Sequence, residues 1–343
     1  MTPVVVVDVG SAADLHDTGW GHPERVERLR AVEDGLKDPV LVGVLSHIAA
    51  RAATRDELLR VHAGGYIDAL RDYIAAGGGD IDPDTHVSPG SWDAALLAAG
   101  AGLTAVESLD KGEADSAFVI ARPPGHHATR TAAAGFCLIN NAAVTAAALA
   151  NRGERVLVVD WDVHHGNGTQ DIFWDDPRVL YISTHQWPAY PGTGRPQDTG
   201  GSGAPGLTIN VPLPAKATGD VARRALEEIA APAVERFNPT WVIVSAGYDA
   251  HMADPLADLS WSAGDYADIA SDVASWAPAS GRLVVFLEGG YDLNALRLSV
   301  AATIAAMAGE TYHPEPPTSG GPGGDTIDAL AALRKRLVGD SSL

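Results

Sequence analysis

The residues with the strongest claim to chemistry sit in the run Asp160-Trp-Asp-Val-His-His-Gly-Asn-Gly168. In extended chain, residues two apart project to the same side, so Asp162 and His164 can grip one ion. Two protein ligands seldom hold a metal. The segment Ser245-Ala-Gly-Tyr-Asp249, His251, Asp254-Pro-Leu256 can supply a third, and its position after a neighbouring strand makes Asp254 the expected one. Three ligands with one open position is the arrangement of catalytic zinc. A second component is the adjacent pair His126-His127, preceded by Arg122-Pro-Pro-Gly. Burying both rings requires two sets of polar partners, which a general base and acid acting on metal-activated water would have. A third is Tyr291 in Glu288-Gly-Gly-Tyr, a phenol able to donate to a developing oxyanion. Alone, an Asp-x-His or a Tyr after a turn is unspecific. Their weight comes from where the chain puts them.

Short apolar, β-branched runs recur at residues 4–7, 117–120, 156–159, 179–182, 207–211, 241–244 and 283–287. Four to five residues long and apolar throughout, they read as strands buried on both faces. Helical stretches lie between them, among them 141–150 and 220–237. This alternation predicts an α/β fold, with a mainly parallel central sheet and helices on both faces. Right-handed crossovers bring the strand C-termini to one edge, where ligands bind in open sheets. Four of the runs lead directly into the polar motifs, so one edge receives Asp, His and Tyr together. No internal linker appears before the Pro/Gly-rich stretch 314–324. The expected organisation is one domain over 1–313 and an appendage over 314–343, with Asp325 capping a last short helix that carries Leu330, Leu333 and Leu337.

Composition narrows the function classes. Lys and Arg number 24 against 44 Asp and Glu, a formal net charge of -20. That balance repels phosphate backbones, so nucleic acid is not an expected partner, whereas a cationic substrate is compatible. No apolar stretch approaches the roughly 18 residues needed to span a bilayer, so no membrane role is expected. The apolar run after Met1 is too short for a secretory signal. Cys137 is the only cysteine, which excludes an intramolecular disulfide and fits a cytoplasmic location. Set among apolar neighbours, Cys137 reads as inert packing rather than a nucleophile. Tyr190-Pro-Gly-Thr-Gly194 lacks the strand-to-helix setting of a phosphate loop and reads as a border of the pocket. His185, His251, Trp20, Trp92 and Trp187 are candidates for the rim or for burial. Nothing in the sequence sets an oligomeric state.

Arg122-Pro-Pro-Gly-His-His-Ala128, Gly135-Phe-Cys-Leu-Ile-Asn-Asn141, Asp160-Trp-Asp-Val-His-His-Gly-Asn-Gly-Thr-Gln170, Ser245-Ala-Gly-Tyr-Asp249 and Glu288-Gly-Gly-Tyr291 together resemble the histone deacetylase superfamily. That superfamily includes histone deacetylase-like amidohydrolases and acetylpolyamine amidohydrolases. The segment His16-Asp-Thr-Gly-Trp-Gly-His-Pro-Glu-Arg25 resembles the access loop of its class II members, and the likeness runs from about residue 10 to about 310. It implies a single-domain arginase-deacetylase fold with one zinc ion held by Asp162, His164 and Asp254. His127 would be the principal base and then acid, oriented by Asn167. His126, hydrogen-bonded to Asp160, would stay charged or donate to the oxyanion, and Tyr291 would polarise the acyl carbonyl. Gly135, Phe136 and Tyr190 would wall the substrate channel, with Gly289 and Leu256 also against the substrate. A potassium ion would sit at Asp160, Asp162, His164, Ser183 and Thr184, largely on backbone carbonyls, and a second monovalent site around Phe173, Asp176 and Val179. Many relatives have Asp where this chain has Asn167, so His127 should be less basic here.

The implied reaction is hydrolysis of an acetyl or related short acyl group from a lysine side chain, in a peptide or protein. Deacylation of acetylpolyamines or other small N-acyl amines is the alternative. Leu256 occupies a place where one polyamine-specific branch has an acidic gatekeeper, which argues against it, although Asp82 or Asp84 could supply the carboxylate. An arginase-like dimanganese enzyme is set aside because Gly166 stands where that chemistry needs an Asp. A non-catalytic acyl-lysine binding module would be expected to have lost part of the set, and this chain retains it.

Overall fold

Each of the seven apolar runs becomes a strand in the computed structural model, which describes residues 2–338. In chain order the strands are β1 (Thr2–Asp8), β2 (Leu45–Ala49), β3 (Gly79–Asp80), β4 (His86–Val87), β5 (Ala114–Ile120), β6 (Val156–Asp160), β7 (Val179–Gln186), β8 (Thr208–Leu213), β9 (Trp241–Ala246) and β10 (Leu283–Leu287). Eight of them form one sheet in the order β2-β1-β5-β10-β9-β6-β7-β8, and β3 and β4 make a separate antiparallel pair. Every neighbouring pair in the large sheet is parallel. Strand β2 is the one sheet member that the apolar runs do not reveal. It lies at the edge, so Leu-Ser-His-Ile-Ala is only partly buried and carries no continuous apolar run.

The path of the chain through this order creates the site. From β5 the chain skips to β6 and moves outward through β7 and β8. It then returns through β9 and β10 into the gap beside β5. Strands β5, β10, β9 and β6 therefore lie side by side at the centre, and these are the four that lead into the His, Tyr and Asp motifs. Strands β6, β9 and β10 are buried along their whole length, which is why their sequences are apolar on both faces. The helix Ser91–Asp110 packs on Asn141–Ala150, and Leu293–Met307 packs against both Glu27–Gly35 and Ala263–Ala274. The stretch expected as one helix over 220–237 is helical throughout but contains a wider π turn at Leu226–Ala230.

The final helix, Gly324–Val338, starts one residue before Asp325, which lies in its first turn rather than at its cap. Ile327 and Leu330 are buried beneath it, Leu333 is half-buried, and the side chain of Leu337 lies outside the described residues. Arg334 donates to the carbonyls of Thr208 and Gly206 at 3.2 and 2.5 Å, which ties the helix to the outer strand β8. The appendage thus helps cover an edge that would otherwise be open. Among the described residues, no helix is long and apolar enough to cross a membrane.

Candidate active site

Just beyond the ends of β6 and β9, three side chains converge. Asp162 Oδ1 and Asp249 Oδ2 each lie 3.1 Å from His164 Nδ1. One ligand atom from each of the three falls within 4.8 Å of the others. Each carboxylate also has an oxygen fixed by backbone: Asp162 Oδ2 accepts the Gly289 N–H and Asp249 Oδ1 accepts the Val163 N–H, both at 2.9 Å. The facing oxygens are thereby pre-aimed. A Cβ at Gly289 would stand 2.2 Å from Asp249 Oδ2 and 2.6 Å from Asp162 Oδ2, so only glycine lets this turn approach the carboxylates. Two carboxylates and one imidazole, converging and buried, form a donor set that fits zinc.

The expected third ligand, Asp254, lies next to this group with its carboxylate against the backbone of the Tyr291 turn. Its Oδ2 accepts the N–H groups of Tyr291 and Asp292 at 2.7 and 3.4 Å, and its Oδ1 accepts that of Leu256 at 2.9 Å. The carboxylate holds backbone, and burial, with the nearby Asp249 charge, pushes its pKa up to about 7. Asp249 and Asp254 both stand in the loop that follows β9.

The histidine pair lies beside this cluster with its rings 4.0 Å apart. His126 Nδ1 is 3.1 Å from Asp160 Oδ2 and its Nε2 is 3.8 Å from Asp162 Oδ2. Burial opposes a charge on this ring, but the two carboxylates outweigh it and raise His126 to about 10. His127 shows the opposite behaviour. Burial first, then the charges of His126 and His164, hold it well below the ordinary histidine value. Asn167, the first residue of the helix Asn167–Phe173, lies with its Oδ1 2.8 Å from His127 Nδ1. An amide oxygen can only accept, so Nδ1 carries the proton and Nε2 is left free as a base. Adjacent rings pushed in opposite directions are suited to acid and base roles.

Beneath the pair is Glu288, fully buried at the end of β10. Its Oε2 accepts the N–H groups of Gly125 and His126 at 2.7 and 3.2 Å, and its Oε1 accepts the Ser245 hydroxyl at 3.1 Å. Burial lifts its carboxyl to about 7. A buried Arg28 clamps the turn that follows, donating to the carbonyls of Gly290 at 2.7 Å and Glu288 at 2.5 Å. Its guanidinium also lies 5.0 Å from the Tyr291 ring. Glu24 Oε1 receives Arg28 at 3.3 Å and Arg122 at 2.8 Å, completing a buried charge cluster. Sequence reasoning assigned no role to Glu24, Arg28 or Glu288 as individuals. Their partners are far away in the chain, and only burial exposes the pairing.

The proposed channel walls also meet. The Tyr190 ring packs edge-on against His127 at 5.0 Å and lies 6.1 Å from His164, while the Phe136 ring is 5.8 Å from that of Tyr291. A Cβ at Gly135 would stand 2.4 Å from the His127 ring and 3.0 Å from that of Tyr190, so a side chain there would crowd both. Tyr190 and Leu256 are each 41% exposed, at the outer end of the site. Several other candidates are structural. His185 is buried between the Ser183 hydroxyl at 2.9 Å and the Gly194 carbonyl at 3.0 Å. His251 is buried against Glu315. Trp20 is fully exposed, and Trp92 and Trp187 are half-buried. Cys137 is buried, its thiol pushed well above its ordinary value by burial, so it is the inert group expected. Although Cys137 clusters with His126 and Glu288, a protonated thiol beside a carboxylate already occupied by N–H donors makes a poor metal site. Ser183 pairs with Asp160 in the β6–β7 register, with Thr184 next to it. Phe173, Asp176 and Val179 lie on the turn into β7, where the Phe173 and Asp176 carbonyls accept backbone N–H groups at 3.1 and 3.3 Å.

A parallel sheet whose central strands deliver Asp, His and Tyr to one edge defines the arginase-deacetylase class of α/β proteins. The crystal structure of the HDA15 HD domain matches with a TM-score of 0.89 and 34% identity, covering 98% of this chain and 95% of that one. Residues 22–307 match the histone deacetylase domain. A probable deacetylase of Archaeoglobus fulgidus is 40% identical over 316 residues, 88% of each chain. A histone deacetylase-like amidohydrolase of Pseudomonas aeruginosa is 39% identical over 294 residues, 84% of this chain and 77% of that one. The chain belongs to the histone deacetylase family, whose deacetylases are hydrolases.

Proposed function

We propose that the protein is a zinc-dependent amidohydrolase that removes an acetyl or related short acyl group from lysine side chains. The observation that carries this reading is the convergence of Asp162, His164 and Asp249 beside two oppositely tuned histidines and Tyr291. Zinc held by Asp162, His164 and Asp254 would polarise the acyl carbonyl and acidify a water. The chain's own groups supply the rest. The acyl-lysine stem enters between Phe136 and Tyr190, and the Tyr291 hydroxyl donates to the acyl oxygen. His127 Nε2 takes the proton of the attacking water while Asn167 holds its Nδ1–H. The charged His126 donates to the oxyanion as negative charge develops. His127 then gives its proton to the leaving nitrogen, and the C–N bond breaks to release carboxylate and free amine. The complete set favours catalysis over a binding module.

Potassium on the carbonyls of Asp160, Asp162, His164, Ser183 and Thr184 would tune the charge of the zinc ligands from behind. A second monovalent ion around Phe173, Asp176 and Val179 would fasten the turn into β7. Leu256, apolar at the outer end of the site, supports acyl-lysine in a peptide or protein over an acetylpolyamine. One observation favours the second reading: Asp84 approaches the Gly135 N–H and Tyr190, where it could meet a distant ammonium. The net charge of -20 argues against a nucleic-acid partner, and a single buried thiol fits a cytoplasmic setting.

The deciding measurement is acetate release by zinc-loaded protein from an acetyl-lysine peptide and from an acetylated polyamine, each with a chelator control. Chelator-sensitive cleavage of the peptide alone is expected. Preference for the polyamine would transfer the assignment to the second reading. Cleavage of neither, or cleavage indifferent to the chelator, would defeat the proposal.

A further inference from the structure

The tail beyond Pro314 lies outside the family match, which ends at residue 307, yet it is built into the loop that follows β9. Glu315 Oε2 lies 2.8 Å from His251 Nε2 and accepts the Ala263 N–H at 2.9 Å. His251 is buried, and its Nδ1 accepts the Ala253 N–H at 3.1 Å. Nε2 therefore carries the proton and donates it to Glu315. Next along the tail, the Pro316 carbonyl accepts the Ser262 hydroxyl at 2.8 Å. Thr318 donates to Asp265 through its N–H at 2.9 Å and its hydroxyl at 2.6 Å. A Cβ at Gly264 would stand 2.2 Å from the Glu315 carbonyl oxygen, so residue 264 must be glycine for the tail to pass. The seat is shaped for this segment.

His251 lies between Asp249 and Asp254, and the loop leads onward to the catalytic phenol. The Asp254 N–H donates to the His251 carbonyl at 2.9 Å, and Asp254 Oδ2 accepts the Tyr291 N–H at 2.7 Å. We infer that Glu315 is a positioning residue for Tyr291, acting through His251 and Asp254 to fix the aim of its hydroxyl. This rests on Tyr291 serving as the oxyanion donor. Without the Glu315 carboxylate, the buried His251 N–H loses its acceptor. The loop must shift to hydrate it, and Asp254 moves with the loop. A donor displaced by about 1 Å loses much of its effect on the transition state.

The test uses the full zinc-loaded chain. It measures kcat and KM on an acetyl-lysine peptide, and the dissociation constant of a simple hydroxamate by calorimetry. Glu315→Ala and His251→Ala are each expected to lower kcat about tenfold with KM unchanged, the pattern of a lost transition-state contact. Glu315→Gln should recover most of that loss, because one amide oxygen can accept both N–H groups that Oε2 accepts. In a Tyr291→Phe background, Glu315→Ala should cost clearly less than in the parent, since the two changes share a pathway. Hydroxamate affinity should follow the same pattern. An equal loss in both backgrounds would mean the tail merely supports the fold, and an unchanged kcat in Glu315→Ala would mean it does not reach the site; either overturns the inference. If the parent binds hydroxamate but cleaves neither the peptide nor an acetylpolyamine, the proposed function fails while the calorimetric cycle still decides the role of Glu315.

Discussion

Replacing Asp254 by Ala removes the proposed third zinc ligand, whereas replacing Asp249 by Ala removes a carboxylate that only touches the proposed ligand His164. Asp249 Oδ2 stands as close to His164 Nδ1 as Asp162 Oδ1 does, 3.1 Å in both cases. Loss of a partner that only orients a metal ligand costs about 10–100-fold in metal affinity. Loss of a direct ligand must exceed the upper end of that range, more than about 2.8 kcal/mol at tenfold per 1.4 kcal/mol. Asp249→Ala removes a partner 3.1 Å from His164 Nδ1, so its effect on zinc stays within the 10–100-fold range. The buried Asp254 also holds the Tyr291 backbone, so its loss falls on turnover as well. The assay is competition for zinc against a chromophoric chelator at neutral pH, with metal content measured after dialysis. Asp254→Ala should come out largely stripped and Asp249→Ala largely loaded. The reverse order would refute the assignment and give the third position to Asp249.

His127 must be neutral at Nε2 to act as a base, so activity is lost as pH falls through its pKa. Because that pKa is held below 6.5, kcat/KM should stay level down to below pH 6.5, and Asn167→Asp, by placing a charge at Nδ1, should move the acidic limb upward; an unmoved limb would dissociate it from His127. Tyr291→Phe should cut kcat by on the order of 10²-fold or more, as loss of an oxyanion donor does, and an unchanged rate would remove the phenol from the mechanism. Arg28→Met leaves the buried Glu24 with one of its two arginine partners and frees the carbonyls of Glu288 and Gly290. Urea unfolding should register a loss of about 3–5 kcal/mol, and a change under 1 kcal/mol would show that the cluster is not coupled to stability.

Much of the site could be read from the residues in order. Strand-length apolar runs marked seven of the eight sheet strands, because strands covered on both faces need continuous apolar sequence. Asp162 and His164, the His126-His127 pair and Tyr291 declared themselves by standing at the ends of those runs. Strand β2 escaped because an edge strand with a partly exposed face obeys no such requirement. The contact between Asp249 and His164 escaped for a different reason. Asp249 and Asp254 are both acids in one loop, and sequence spacing does not say how that loop turns or which backbone N–H groups will claim a carboxylate first.

The sequence by itself determined the class of fold, the strand-end positions of the chemical groups and the identities of the acid, base and phenol candidates. These follow from local rules: side-chain periodicity, strand length and the ligand chemistry of Asp and His. Tertiary structure alone decided that Asp249 packs against His164. It also decided that Glu24, Arg28 and Glu288 form the buried support of the Tyr291 turn, and that the tail reaches back through Glu315 to His251. Each of these depends on which distant groups come within about 3 Å of one another after burial, where a buried charge or N–H must find a partner and takes the one that packing provides.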